Sequence, residues 1–455
     1  MKTFILKGKN IKKVGFFGFG QSNRSVKKLL ENRYQDLSYT LRSDSLTENA
    51  VGFENVYLGE RAYDSINEDV LFISPGVRHD RAEFQEAKNR GVLLSSDIEL
   101  FLSLKNFPVL AVTGSDGKSS TVTLASMMLT KTLGTFPPCA NIGVPACDLL
   151  EVSGIVGSVM ELSSFQLMSV QPTSRRALIT NVSKNHLDWH TDMEEYISAK
   201  ENVLKRADER VFNLDCPISS AFISKYGAYA AYSLHMTYKD MRRICNAKHY
   251  FYIDKGVIFD TGEPLLNISE LSANNSYNVI NFMAAAALTS ELASQKSIAN
   301  AAKSFIGLAH RAELVATYDG IKFYDSSIDT TPTRTKTTLS SLKERCVLIL
   351  GGRSKGTDFS DLFPITKNLR AVVITGENAK EIRSELFCHS DFILGRIPVY
   401  YCARFDDAIL RAIKAAKVGD AVLLSPASAS FDRFKSYIER GKYFSNFIEN
   451  YYHRK

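Results

Sequence analysis

Short apolar runs, glycine-bearing turns and amphipathic stretches follow one another along most of this chain. That alternation predicts α/β domains built on mostly parallel sheets. The first instance is Lys13-Val14-Gly15-Phe16-Phe17-Gly18-Phe19-Gly20, a strand running into a turn, with a helix expected over 25–31. Apolar runs at 37–41, 70–74 and 92–94 predict further strands, and 97–104 predicts a helix that closes this unit. Lys105-Asn106-Phe107-Pro108 reads as a linker. A second unit opens with a strand at 109–113 and continues through strands at 159–161 and 177–181 and helices at 194–206 and 278–292. A third carries strands at 347–350, 371–375 and 421–425. The expected domains are therefore 1–105, 106–308 and 309–455. A length of 455 residues agrees, at roughly 100–200 residues per domain.

Composition narrows the class. Hydrophobic residues make up 45% and charged residues 23%, as in an ordinary globular protein. The formal charge of +7 is spread out, without the basic stripe of a nucleic-acid binder, so no nucleic-acid partner is expected. Seven scattered cysteines without a CxxC argue against a disulfide framework or structural zinc and for a reducing cytoplasm. The start MKTFILKGKN has too few apolar residues for a signal peptide, and the longest uncharged run, 271–290, carries four Asn. A cytoplasmic protein with no membrane insertion is the expectation.

The strongest local signal is Thr113-Gly114-Ser115-Asp116-Gly117-Lys118-Ser119-Ser120, between an apolar strand and a helical stretch. Glycines let the backbone curl so that its N–H groups face phosphate oxygens. Lys118 can then reach the β/γ-phosphates, and the Ser119 or Ser120 hydroxyl can meet Mg²⁺. Only two residues separate Gly114 from Gly117, so this is a shortened phosphate loop; an ordinary strand–helix turn is the competing reading. The turn Gly18-Phe19-Gly20-Gln21-Ser22-Asn23 has Asn where a dinucleotide site wants a third Gly, so it is not read as an NAD site. Glu161 ends an apolar strand, His186 follows another, and Lys200 sits 14 residues later on a predicted helix. Taken singly, each is more often a surface charge or a loop residue. Together, after a phosphate loop, they form a candidate cation site, although His and Lys are unusual partners for Mg²⁺.

The segments GSDGKSS, NIGVP, MELSSFQL, NVSKNHLDWH, SAKENVL, AHRAEL and LLSPASASFDRFKSYIERG occur in an order that resembles the Mur ligases, from about Lys13 to Phe444. The resemblance implies a Rossmann-like N-terminal domain for the UDP end of a substrate, a central P-loop domain for ATP and a Rossmann-like C-terminal domain for an amino acid. It implies a monomeric, Mg²⁺- and ATP-dependent ligase acting on UDP-N-acetylmuramoyl-L-alanine and D-glutamate.

Position by position, the resemblance places ATP phosphates on Gly114 to Ser120, with Lys118 and Ser119 foremost. Adenine falls to Asn281, phosphate to Arg311 and ribose to Asp325. Ser119, Glu161, His186 and Lys200 as a carbamate would hold magnesium, which explains a lysine in that company. Asn141, Gln21, Ser22, Thr40, Arg42, Ser74 and Gly76 are expected against the UDP substrate, and Lys355, Ser430 and Tyr437 against D-glutamate. Asn185 and Ser327 depart from residues that other members carry. Competing readings are a folylpolyglutamate synthase, which begins near its phosphate loop, another Mur ligase, a nucleotide-switched binding protein, and, weakest, a dehydrogenase.

Overall fold

A computed structural model describes residues 3–46, 50–187, 189–272, 276–354, 359–362 and 367–453. Lys355 lies outside them. The α/β expectation holds, with three large sheets and a short two-stranded ribbon at Ile5–Leu6 and Lys9–Asn10.

The first sheet has five parallel strands in the spatial order Asn55–Leu58, Ser38–Ser43, Lys13–Phe17, Val70–Ile73, Leu93–Ser95. Strand order reverses around Lys13–Phe17, and the turn after that strand feeds the helix Gln21–Arg33. In open α/β sheets ligands bind at such a reversal, beyond the carboxyl ends of the strands.

The second sheet has nine strands. Six run parallel from Pro138–Ala140 through Ser158–Glu161, Val109–Thr113, Ser174–Ile179, Ala207–Asn213 and Ala230–Tyr232, and His249–Asp254 continues them. The last two, Val257–Asp260 and Glu263–Asn267, turn antiparallel, with a register shift at Ile258/Phe259. Both edge strands contain a proline, Pro138 at one side and Pro264 at the other. Val109–Thr113 is buried along its whole length, as a central parallel strand covered on both faces must be. The expectation ended this strand at Thr113 and placed a helical pattern over 121–129; the helix runs Lys118–Leu133, longer at both ends.

The third sheet orders Glu313–Tyr318, Ile321–Asp325, Ala421–Leu424, Cys346–Leu350, Leu369–Ile374, Val399–Tyr401, with only the first pair antiparallel. The chain divides into two compact units. One comprises Met1–Asn274 and Asn278–Phe305, and so holds the first two sheets together; the other comprises Asn275–Tyr277 and Ile306–Lys455. All seven cysteines are free, five of them buried. Among the described residues no helix is long and apolar enough to cross a membrane.

Candidate active site

The phosphate loop is shaped by two glycines in the left-handed half of backbone space. Gly114 has φ +152° and Gly117 φ +79°. A Cβ on Gly114 would sit 1.9 Å from Thr180 Oγ1, and one on Gly117 would sit 2.3 Å from Asn281 Oδ1. Conformation and space both require glycine there. The end of the neighbouring strand holds the loop from below. Ser115 N donates to Asn181 O (2.9 Å) and Asp116 N to Asn181 Oδ1 (3.0 Å), while Thr180 Oγ1 and Asn181 Nδ2 donate to Asp116 O (2.6 and 3.0 Å). Ser115 Oγ accepts from Ser183 N (2.9 Å) and lies 2.9 Å from the Tyr196 hydroxyl. Thr180 was not singled out from sequence, whereas Tyr196 shares a predicted helical face with Lys200. Lys118 curls back over the loop, its Nζ donating to Gly114 O and Ser115 O, both at 2.9 Å. Ser119 is half-buried and Ser120 buried.

Lys200, on the helix Met193–Lys205, is 1% exposed and donates to the same Gly114 O at 2.8 Å. Its Nζ stands 4.5 Å above the Tyr196 ring, the neighbour four residues earlier on one helical face. Burial, and then the charge of Lys118, push its pKa well below the usual lysine range. An exposed lysine would show none of these features.

Glu161 ends its strand 2% exposed. Oε1 accepts from Asn141 Nδ2 at 2.7 Å, whereas Oε2 is buried with no hydrogen-bond partner among the described residues. A carboxyl oxygen buried without a partner is costly, and a bound divalent cation is the kind of group that would satisfy it. His186 is exposed, in a left-handed turn (φ +56°), with its ring 5.0 Å from that of Phe165. The residues present thus fit a cation: one open carboxylate oxygen, one imidazole, and a buried amine adaptable to an oxygen ligand. Asn281, on the helix Ser276–Thr289, is buried beside the loop, and its Nδ2 lacks a partner among the described residues.

The expected UDP-substrate residues fall into two sets. Gln21 and Gly76 are exposed, Ser22 and Ser74 half-buried, and Thr40 buried around the end of the first sheet. Arg42 differs. It is 1% exposed, paired to Glu68 (Nε–Oε1 2.7 Å), and gives further hydrogen bonds to Ala62 O and Asp64 O. It braces the sheet from inside instead of meeting a uridine in this arrangement, because a buried cation must find all its acceptors in the protein.

In the other unit Arg311 donates to the Tyr277 hydroxyl at 3.2 Å. Asp325 is fully buried. Its Oδ2 lies 2.6 Å from His310 Nδ1 and its Oδ1 accepts from Ser327 N at 2.8 Å. Ser430 is 2% exposed, and Tyr437 is half-buried at the start of the helix Tyr437–His453. Arg440, missed from sequence, is buried there and donates to Ser327 O, Ser428 O and Ala429 O; burial lowers its pKa to about 10. His310 was within reach of sequence reading, since it sits in the AHRAEL segment.

Two family models match the chain, the Mur ligase middle domain over residues 112–289 and the Mur ligase glutamate ligase domain over 310–428. Curated relatives named UDP-N-acetylmuramoylalanine–D-glutamate ligase include one from Acetivibrio thermocellus, 35% identical over 99% of this chain and 98% of its own. One from Ruminiclostridium cellulolyticum is 34% identical over 84% and 83% of the two chains. The fold also resembles that of the UDP-N-acetylmuramate-alanine ligase of Thermotoga maritima, with a TM-score of 0.60 at 19% identity, covering 97% of this chain and all of that one. The chain belongs to the Mur ligase family. It is accordingly an ATP-dependent, amide-forming ligase.

Proposed function

We propose that this protein joins D-glutamate to UDP-N-acetylmuramoyl-L-alanine, an intracellular step of peptidoglycan precursor synthesis, and that it acts as a Mg²⁺-dependent monomer. The observation that carries the reading is the meeting of Lys118 and Lys200 at Gly114 O of the phosphate loop, with Glu161 near enough to act on the charge of Lys200. The near full-length match to D-glutamate ligases supports the choice of amino acid.

The substrate carboxylate attacks the γ-phosphorus of ATP; an O–P bond forms and the bond to the β-phosphate oxygen breaks, giving an acyl phosphate and ADP. Lys118 leaves its loop carbonyls and follows the transferred charge, as positioning and electrostatics supply most of the rate in phosphoryl transfer. Glu161, His186, Ser119 and a carbamylated Lys200 would hold Mg²⁺, whose contribution when bound is to neutralise phosphate charge. Only a neutral amine adds carbon dioxide, and the burial of Lys200 favours that neutral form. The amine of D-glutamate then attacks the acyl carbon, and collapse of the tetrahedral adduct releases phosphate and the amide. Lys355 and Ser430, with backbone near Tyr437, are assigned to the amino-acid carboxylates.

The test is ADP release over a panel of amino acids with the UDP substrate. D-glutamate should stand far above L-glutamate and the other amino acids, and equal rates for the two enantiomers would remove the substrate assignment. Lys355→Ala should raise the KM for D-glutamate much more than that for ATP; the reverse would move Lys355 to the nucleotide.

A further inference from the structure

One polar chain, buried at Ser164 and His190 and half-buried at Glu195 and Arg78, has no part in the chemistry above. His190 is 2% exposed, with Nε2 2.9 Å from Ser164 Oγ and Nδ1 3.2 Å from Glu195 Oε2. That carboxylate also accepts from Thr191 N (2.9 Å) and from both terminal nitrogens of Arg78 (2.7 and 3.1 Å). Arg78 Nη1 donates to Trp189 O (3.1 Å), its guanidinium stacks 5.3 Å above the indole, and Trp189 Nε1 donates to Gly76 O (3.0 Å).

Proton positions follow from donor and acceptor types. Arg78 holds the Glu195 carboxyl down at about 2, so it is ionised and can only accept. Nδ1 of His190 therefore carries the hydrogen, Nε2 is the acceptor, and the Ser164 hydroxyl donates to it. Serine, imidazole and carboxylate stand in the order of a hydrolytic triad. Ser164, however, is 3% exposed, so its oxygen is closed to a substrate carbonyl and a nucleophilic role does not fit.

What the chain does is tie elements together. Ser164 begins a helix three residues after Glu161, and His190 closes the loop that carries His186. Glu195 lies in the first turn of the helix that carries Lys200, and Arg78 comes from the loop of Ser74 and Gly76. Phe165 packs the same joint, its ring 5.0 Å from His186 and 4.4 Å from Trp189.

We propose that Arg78, Glu195, His190 and Ser164 form a positioning relay that sets the spacing of Glu161, His186 and Lys200 and couples it to the Ser74–Gly76 loop. The role of those three residues and of that loop rests on the function proposed above. Ligand-orienting groups one shell out typically change metal affinity or activity by about 10–100-fold. His190→Ala and Arg78→Met should each raise, by about tenfold or more, the Mg²⁺ concentration needed for half-maximal ADP binding, measured by calorimetry without the UDP substrate. In turnover each should raise the KM for the UDP substrate, and the double variant should fall well short of the product of the two single effects, as members of one network do. Variants that fold with a lowered melting temperature but unchanged Mg²⁺ and substrate dependence overturn the relay, and so do effects that multiply. Should His190→Ala not fold, Ser164→Ala, which removes one hydroxyl, takes its place in the same comparison. Nitrogen-15 NMR of the labelled native protein reads His190 directly: a hydrogen on Nδ1 is expected, and one on Nε2 overturns the proposal. Wild-type protein that binds ADP with Mg²⁺ yet makes no amide would sink the functional reading alone, because the calorimetric and NMR results do not depend on it.

Discussion

Two strand–glycine–helix turns in the same compact unit look alike in sequence and are filled in opposite ways. After Lys13–Phe17 the turn is plugged by Asn23, fully buried, whose Nδ2 lies 2.7–3.3 Å from Phe17 O, Gly18 O, Phe72 O and Ser74 Oγ. After Val109–Thr113 the turn is plugged by two lysine side chains, Lys118 and Lys200, both donating to Gly114 O. A buried neutral amide with several acceptors has nowhere better to go, since leaving would strand those acceptors. Burial and then the charge of Lys118 disfavour a second cation at Lys200, and that crowding is relieved when an anion arrives. The first turn is a structural joint, and a ligand there must use the helix start outside it. The second is closed by the groups that the proposed function assigns to its ligand.

This contrast can be broken or sharpened in order of effect. Lys118→Ala should cut ligation by about 10²–10³-fold, the usual cost of removing one preorganised donor, with melting temperature little changed. Near-normal turnover would make the second turn as structural as the first. Lys200→Arg keeps the charge but cannot form a carbamate, and should be as inactive as Lys200→Ala; short carboxylic acids in the buffer should restore part of the activity of the alanine variant only. Wild-type rates in Lys200→Arg would end the carbamate assignment. Asn23→Ala should act on stability, by about 1–3 kcal/mol in urea unfolding, because buried acceptors lose their donor. If it instead abolished binding of the UDP substrate without destabilising the fold, Asn23 would be a ligand residue.

The smallest effect concerns pH. Burial lowers the pKa of His190 from its ordinary 6.5, outweighing the raising influence of Glu195, with Lys200 and Arg78 adding to the lowering. Below pH 6.5 the unfolded chain therefore takes up a proton that the folded chain refuses, so His190 costs stability as pH falls through that value and has no such effect above it. The urea midpoint of the native protein should drop more between pH 7 and 5.5 than that of His190→Asn. Parallel declines would place the titration elsewhere.

Sequence made the second turn legible and the first only half so. Glycines, Lys118 and the apolar strand are local signals, and the observed strand matches Val109–Thr113. The helix Asp97–Leu104 was equally plain, opened by Ser96 as its cap. That Asn23 is a plug depends on Phe72, 49 residues away, and that Arg42 is internal depends on Glu68; neither distance leaves a periodic trace. Asp325 read as a ligand residue because its chain position was known, whereas its burial against His310 is a matter of tertiary packing. The antiparallel end of the central sheet went unseen for the same reason, since Val257–Asp260 and Glu263–Asn267 are too short and mixed to announce themselves.

That sheet also bears on how the protein behaves in a crowded solution. An open sheet has two edge rows of backbone groups that another chain could extend, the usual seed of aggregation. Here each row is interrupted by a residue with no N–H to offer, Pro138 in a strand of three residues and Pro264 opposite the register shift. A neighbour approaching either side meets a gap in the ladder. Both interruptions work against extension of the largest sheet by a second copy of the chain.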